Sequence, residues 1–161
     1  MSIHFKKDNK IIQIDTANSM YQMQIDKYDR LIHLYYGKNI GDDDLSYLVQ
    51  KYDRGFSPNP NEVGNDRTYS LDVLPQEYTG ADNGDYRICC LEVCNKNGNR
   101  QVDLKYKSHK IYNGKYSLDG LPALFDYKGD AQTLEILMQD DVTGLEVRLL
   151  YGVFEKQDVI T

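Results

Sequence analysis

The 161-residue sequence has no tryptophan, few cysteines and no long hydrophobic run, and each absence narrows what the protein can be. Because a membrane-spanning helix needs about 18 or more apolar residues in a row, no membrane span and no membrane partner are predicted. The N-terminus, MSIHFKK, has no apolar stretch of the kind that a secretory signal requires. We therefore expect a cytoplasmic protein.

The three cysteines lie close together, at Cys89, Cys90 and Cys94. An odd cluster without a secretory signal favours reduced thiols over a disulfide framework. Their spacing fits no zinc knuckle and no histidine lies near them, so we predict no metal and no cofactor. We expect three small strand residues, some of them buried.

Acidic residues outnumber basic ones, with 25 Asp and Glu against 19 Lys and Arg, which gives a net charge of −6. Nucleic-acid binding relies on clustered lysine and arginine, and here the basic residues are scattered among acids. The longest basic patch, residues 105–110, is short and is typical of a solvated strand face. No nucleic-acid partner is predicted.

The dominant hydrophobic period is two residues, which predicts β-strands. Apolar residues alternate with other residues over 21–25, 102–106, 134–138 and, most clearly, 145–153. Two denser apolar runs, 31–36 and 88–93, are expected to be central strands. Asn97-Gly98, Asn113-Gly114 and Thr143-Gly144 predict hairpin turns.

One segment departs from this period. Leu45, Leu48, Val49 and Tyr52 follow a helical spacing after three aspartates, which predicts a short helix near residues 44–51. The next segment, residues 53–67, contains two prolines and two glycines and is predicted to be irregular. A loop this long within a compact domain is usually functional or disordered.

Many short strands with hairpin turns indicate an all-β protein, and we predict a β-sandwich that occupies residues 1–161 as a single domain. The sequence ends soon after its clearest strand, just as another apolar stretch, 158–161, begins. A sandwich that stops there leaves an edge strand without its partner. We interpret the chain as an incomplete sandwich and a fragment of a larger protein, with a natural terminus as the alternative.

Several motifs resemble the N-terminal domain of bacterial α-galactosidases of glycoside hydrolase family 36. They occur in order along nearly the whole chain: 34–38 (LYYGK), 42–48 (DDDLSYL), 53–60 (DRGFSPNP), 66–72 (DRTYSLD), 74–78 (LPQEY), 84–87 (GDYR), 107–109 (KSH), 120–123 (GLPA) and 145–154. Motifs of this length in this order make chance a poor explanation.

The resemblance implies a galactose-mutarotase-like supersandwich from a large cytoplasmic enzyme, often tetrameric. Such enzymes cleave terminal α-1,6-linked galactose from melibiose, raffinose and stachyose with retention, using two aspartates of a (β/α) barrel. This chain ends before any barrel. The resemblance therefore implies a non-catalytic domain whose partners are its own barrel, a homo-oligomer and α-galactoside oligosaccharides.

The loop at 53–67 is the candidate sugar site, because family members wall the active site with N-terminal loops. Asp53 and Arg67 are the first candidates for substrate contact, with Arg54 and Asp66 as weaker ones. Carboxylate and guanidinium groups each make paired, charge-assisted hydrogen bonds to neighbouring sugar hydroxyls. The alternative is an internal Asp53–Arg67 ion pair that holds the loop. Phe56 and Tyr69 are candidates for stacking on a sugar face.

The acidic runs 42–44 and 140–141 are typical of caps and turns rather than of a catalytic pair. Two other functions stay open. One is a free-standing carbohydrate-binding module, against which the missing tryptophan counts. The other is a small mutarotase-like enzyme that uses a histidine and a glutamate, but no such pair is evident and His33 is better interpreted as structural.

Overall fold

The computed structural model describes residues 2–53, 55 and 59–161, and its eight strands form two antiparallel sheets of four. Each sheet is a simple meander in which consecutive strands pair. The first sheet contains β1 (Ile3–Lys6), β2 (Ile11–Asp15), β3 (Ser19–Ile25) and β4 (Leu31–Lys38). The second contains β5 (Leu104–Asn113), β6 (Ala131–Asp140), β7 (Glu146–Phe154) and β8 (Val159–Ile160). The predicted all-β sandwich is confirmed.

The two sheets share one apolar core. Its buried side chains from the first sheet include Ile12, Ile14 and Met23, and those from the second include Leu134 and Ile136. Leu134 and Ile136 occupy alternate positions on β6, as the two-residue period predicted. Burial of alternate apolar residues from both sheets in one layer is what holds a sandwich together.

A second core covers the opposite face of the first sheet. The connection between β4 and β5, residues 39–103, folds back over this face and buries Leu45, Tyr69 and Leu71 against Ile11 and Ile32. The first sheet is therefore covered on both sides. This explains the dense apolar run at 31–36, which forms β4 at the end of its sheet rather than a central strand.

The run 88–93 is not a strand, and this prediction was wrong. Leu91 makes only an isolated bridge with Gly80, and Ile88 is 99% exposed. Gly98 does form a turn, donating its N–H to the carbonyl of Asn95 at 2.8 Å, but the flanking residues are not paired strands. The thiols of this region are not buried strand residues either: Cys89 is half-buried, and Cys90 and Cys94 are exposed.

The helix predicted near 44–51 is shorter than expected, a single 3₁₀ turn at Ser46–Leu48. Its position is fixed by Gln22 of β3, whose side-chain oxygen accepts the N–H of Leu45 at 3.0 Å and whose amide donates to the carbonyl of Asp43 at 2.9 Å. These contacts satisfy backbone groups just before the turn and fix where it begins. Leu45 is buried at 2% exposure and ties the segment to the sheet.

Candidate functional site

The loop that follows this turn is attached to the second core at its C-terminal half. Val63 lies in a 3₁₀ turn, Asn61–Val63, and is 7% exposed, and Tyr69 is 2% exposed. The amide of Asn59 donates to the carbonyl of Asp66 at 2.9 Å across the loop. The loop is therefore held by its apolar residues, while Asp53 and Arg67 lie at the surface.

Asp53 and Arg67 contact each other. Arg67 Nη2 lies 3.0 Å from Asp53 Oδ1, and the two side chains are 60% and 59% exposed. The same carboxylate oxygen accepts the backbone N–H of Gly55 at 3.1 Å, which closes a tight turn with φ of 39° at this glycine. The internal ion pair is thus present. Both groups keep most of their surface open to solvent, so their remaining hydrogen-bonding capacity faces outward.

The two weaker candidates differ. Asp66 Oδ1 accepts hydrogen bonds from the side chain of Thr68 at 2.6 Å and from its backbone N–H at 3.0 Å. These bonds hold the pKa of the Asp66 carboxyl below its usual range, so it is ionised and engaged in its own turn. Arg54 lies outside the described residues, as does Phe56.

Tyr69 is not available to stack on a sugar. Its ring packs edge-on against Tyr28 with centroids 4.8 Å apart, and its hydroxyl donates a short hydrogen bond to Asp26. Burial and the Asp26 carboxylate raise the pKa of Tyr69. The sequence suggested stacking because aromatic loop residues are often exposed, but here the ring serves as the anchor of the loop.

A groove of about 650 Å³ runs beside the loop. Val49 and Lys51 form one side of it, and Lys27 and Gln24 line it further along. Of the predicted site residues that the structure describes, none lines this groove. Lysines 27 and 51 approach Asp66 closely enough to help lower the pKa of that carboxyl.

The acidic runs serve structural roles, as predicted. Asp44 accepts the N–H of Ser46 at 2.8 Å, and Asp42 forms a 2.6 Å ion pair with Lys6. Asp140 accepts the backbone N–H groups of Val142 and Asp103 at 2.8 and 3.0 Å. Retaining hydrolysis needs two free carboxylates about 5–5.5 Å apart, which these engaged groups do not supply.

A histidine–glutamate pair that the sequence did not reveal lies between the sheets. His33 Nδ1 is 3.7 Å from Glu77 Oε2, and the Glu77 carboxylate also accepts hydrogen bonds from the hydroxyls of Tyr21 and Tyr151. An acid and a base that open a sugar ring must act at different atoms of it, whereas the two groups of this pair contact each other, and the Tyr21 ring packs 4.9 Å from that of His33. No sequence signal links two residues this far apart.

Within the described ranges, no cluster of three or more His, Cys, Asp or Glu side chains is arranged to hold a metal ion. Among the same residues, no helix is long and apolar enough to cross a membrane. The site is therefore described by its hydrogen-bonding groups alone: an exposed carboxylate and guanidinium on a loop anchored to a β-sandwich.

This combination defines a β-sandwich domain that presents polar loop residues at its surface, and comparison with known proteins identifies the family. Residues 29–161 match the profile of the glycosyl hydrolase family 36 N-terminal domain. The chain belongs to this family.

Relatives with known activities match along the whole chain. The bifunctional α-galactosidase/sucrose kinase AgaSK of Mediterraneibacter gnavus is 48% identical over 161 residues, and the α-galactosidase AgaA of Geobacillus stearothermophilus is 41% identical over 162 residues. These alignments cover 100% of this chain but only 17% and 22% of the relatives. The chain thus spans about a fifth of the length of the α-galactosidases that it matches.

Solved structures agree with this assignment. The galactosidase domain of AgaSK superimposes with a TM-score of 0.94 over 98% of this chain and 22% of that one, at 48% identity. AgaA in complex with raffinose gives a TM-score of 0.87 at 41% identity, covering 94% of this chain and 21% of that one. The resemblance inferred from the motifs is confirmed.

Proposed function

We propose that this chain is the N-terminal, non-catalytic domain of an α-galactosidase that removes terminal α-linked galactose from melibiose- and raffinose-type oligosaccharides. The match of 100% of the chain to one segment of larger α-galactosidases carries this proposal. The single domain over residues 1–161, its cytoplasmic location and its membership of a homo-oligomer belong to the same proposal.

In this proposal the domain contributes packing, assembly and one wall of the sugar pocket. Asp53 and Arg67 are the residues that contact substrate, with Arg54 and Asp66 beside them. The 3.0 Å contact between Arg67 and Asp53 supports it, because the pair fixes a carboxylate and a guanidinium side by side while leaving both exposed. A pre-formed pair presents an acceptor and a donor to adjacent hydroxyls with little loss of side-chain entropy.

The first test is an activity assay. The chain by itself is expected to show no turnover of p-nitrophenyl α-galactoside, while AgaA assayed in parallel shows that the assay works. Saturable hydrolysis by the chain, abolished by heat denaturation, would overturn the non-catalytic assignment.

The second test asks whether Asp53 and Arg67 contact the sugar, and it is made in the complete enzyme that the coding sequence downstream of Thr161 is expected to encode. We expect an open frame that continues into a barrel. In that complete enzyme, Arg67→Ala and Asp53→Ala are expected to raise KM for raffinose about fivefold or more while changing kcat less. The reason is that each variant loses a contact that the substrate makes equally in the ground state and in the transition state. Unchanged KM in both variants would remove these residues from the site.

A further inference from the structure

A second groove, of about 590 Å³, lies on the outer face of the second sheet, away from the loop at 53–67. Pockets that bind small molecules have volumes of about 300–1,000 Å³, so this one is large enough for a small oligosaccharide. We name it the outer groove, and the residues of it that matter here are Tyr112, Tyr116, Leu118, Glu135, Arg148 and Leu150.

Two tyrosines form the aromatic side of the outer groove. Tyr112 is 39% exposed at the C-terminal end of β5, and Tyr116 follows in the connection to β6. Tyr116 is held in place because its N–H donates to Thr133 Oγ1 at 3.0 Å, and that hydroxyl donates to the carbonyl of Gly114 at 2.7 Å. The ammonium of Lys115 lies 3.0 Å from the centre of the Tyr116 ring, so Tyr112 provides the exposed aromatic surface of the groove.

Opposite charges lie on the floor of the same groove. Glu135 of β6 stands opposite Leu150 of β7, and Arg148 is two residues before Leu150, so Glu135 and Arg148 are diagonal neighbours on one face. The backbones of diagonal neighbours lie about 7–8 Å apart, within reach of long side chains, yet Glu135 and Arg148 form no ion pair with each other. Neither side chain has a hydrogen bond or ion pair with another described residue. Lys110, opposite Glu135 on β5, and Lys115, over the Tyr116 ring, are further charges beside this groove.

A fixed aromatic face beside a separated carboxylate and guanidinium suits one class of ligand. The C–H face of a sugar packs on a tyrosine ring, while its hydroxyls donate to Glu135 and accept from Arg148. The apolar side chains of Leu118 and Leu150 contact the rest of the ring. An anionic ligand such as a nucleic acid is disfavoured by Glu135 and by the net charge of −6.

We infer that the outer groove is a second binding site for a neutral oligosaccharide of about two sugar units, separate from the loop at 53–67. This inference does not rest on the proposed function, because the groove is formed entirely by the second sheet and the connection beside it. It places the carbohydrate on a face of the domain that carries none of the residues expected to wall the pocket.

The test is a titration of the chain with raffinose, followed by calorimetry and by amide chemical shifts. Shifts are expected on β6, β7 and the 112–118 segment. Arg148→Ala and Tyr112→Ala are each expected to weaken binding about fivefold or more. The matched controls are Arg100→Ala and Tyr86→Ala, which remove an exposed arginine and a 79% exposed tyrosine outside the groove and are expected to leave affinity unchanged.

Loss of binding in Arg67→Ala with unchanged affinity in Arg148→Ala and Tyr112→Ala would assign the sugar to the loop and overturn the inference. Absence of any shift at 20 mM raffinose would overturn it too. A second copy of the chain is the other possible occupant of the outer groove, and light scattering on the wild type and on Leu150→Glu tests it. If the wild-type chain is a dimer and this variant is a monomer, the groove is an interface between copies and not a sugar site. None of these results bears on the family assignment.

Discussion

The carboxylate of Glu77 accepts a hydrogen bond from the hydroxyl of Tyr151 at 2.6 Å, although the two residues come from different parts of the sandwich. Tyr151 belongs to β7 of the second sheet, and the backbone N–H of Glu77 donates to Leu31 of the first sheet at 2.9 Å. Tyr21 of β3 donates to the same carboxylate at 2.7 Å. Glu77 therefore joins the two sheets through one 9% exposed side chain.

Tyr151→Phe is expected to destabilise the chain by about 1.5–3 kcal/mol, because a buried hydrogen bond to a charged group is lost. The free energy of unfolding from urea titration measures this. Tyr86→Phe is the matched control, since Tyr86 is 79% exposed and should change stability by less than about 0.5 kcal/mol. Equal stability of the two variants would show that Glu77 does not tie the sheets together.

Arg30→Ala is expected to cost about 1.5–3 kcal/mol, because it removes the charge-assisted hydrogen bonds of a buried guanidinium to two partly buried carboxylates. The Arg30 side chain is 3% exposed and pairs with Asp103, just before β5, and with Glu62 of the loop at 3.1 Å. Lys105 of β5 also contacts Glu62, at 3.0 Å.

Thermal and urea unfolding of Arg30→Ala, with the exposed Arg100→Ala as control, check this expectation. Arg30→Lys, which keeps the charge but not the two-pronged geometry, should lie between the wild type and the alanine variant. A loss of under about 1 kcal/mol in Arg30→Ala would contradict a role for this pair network in the fold.

The Asp53–Arg67 pair is expected to contribute little to stability, with a coupling energy of about 0.2–1 kcal/mol, since both side chains are about 60% exposed. A double-mutant cycle with Asp53→Ala and Arg67→Ala measures the coupling, which should shrink in 0.5 M salt. A coupling well above 1 kcal/mol that persists in salt would favour a structural role for the pair over substrate contact.

Asp158 gives the chain a defined response to acid. Hydrogen bonds from Thr16 and from Ser19, whose hydroxyl lies 2.9 Å away, lower the pKa of Asp158 from 3.8 to about 2. A depressed folded-state pKa stabilises the protein above the unfolded value, and this stabilisation is lost as the pH falls from about 4 through 2.

Asp158→Asn should therefore lower the melting temperature at pH 6, and the gap to the wild type should narrow at pH 3. Asparagine also tolerates the left-handed backbone found here, with φ of 55°, so the comparison isolates the charge. Thermal melts followed by circular dichroism at both pH values provide the measurement. A gap of the same size at pH 3 would show that the carboxylate is not the source of the effect.

The amino-acid sequence by itself determined the strands whose side chains alternate. Leu134, Ile136 and Met138 are buried on β6 as their spacing predicted, and the alternation over 145–153 corresponds to β7, Glu146–Phe154. The ordered motifs determined the family. Both signals are local, because a strand's period and a motif's letters can be recognised without knowing what lies opposite in space.

The tertiary structure decided which faces are covered and which charged groups meet. The runs at 31–36 and 88–93 are similarly apolar, yet the first lies between the core of the sandwich and the 39–103 connection, whereas the second leaves Ile88 exposed. His33 and Glu77 meet only because the chain returns across the sheet, and the conformation of the 53–67 loop decides that Asp53 contacts Arg67. Burial and ion pairing depend on neighbours distant along the chain, and no local pattern encodes those neighbours.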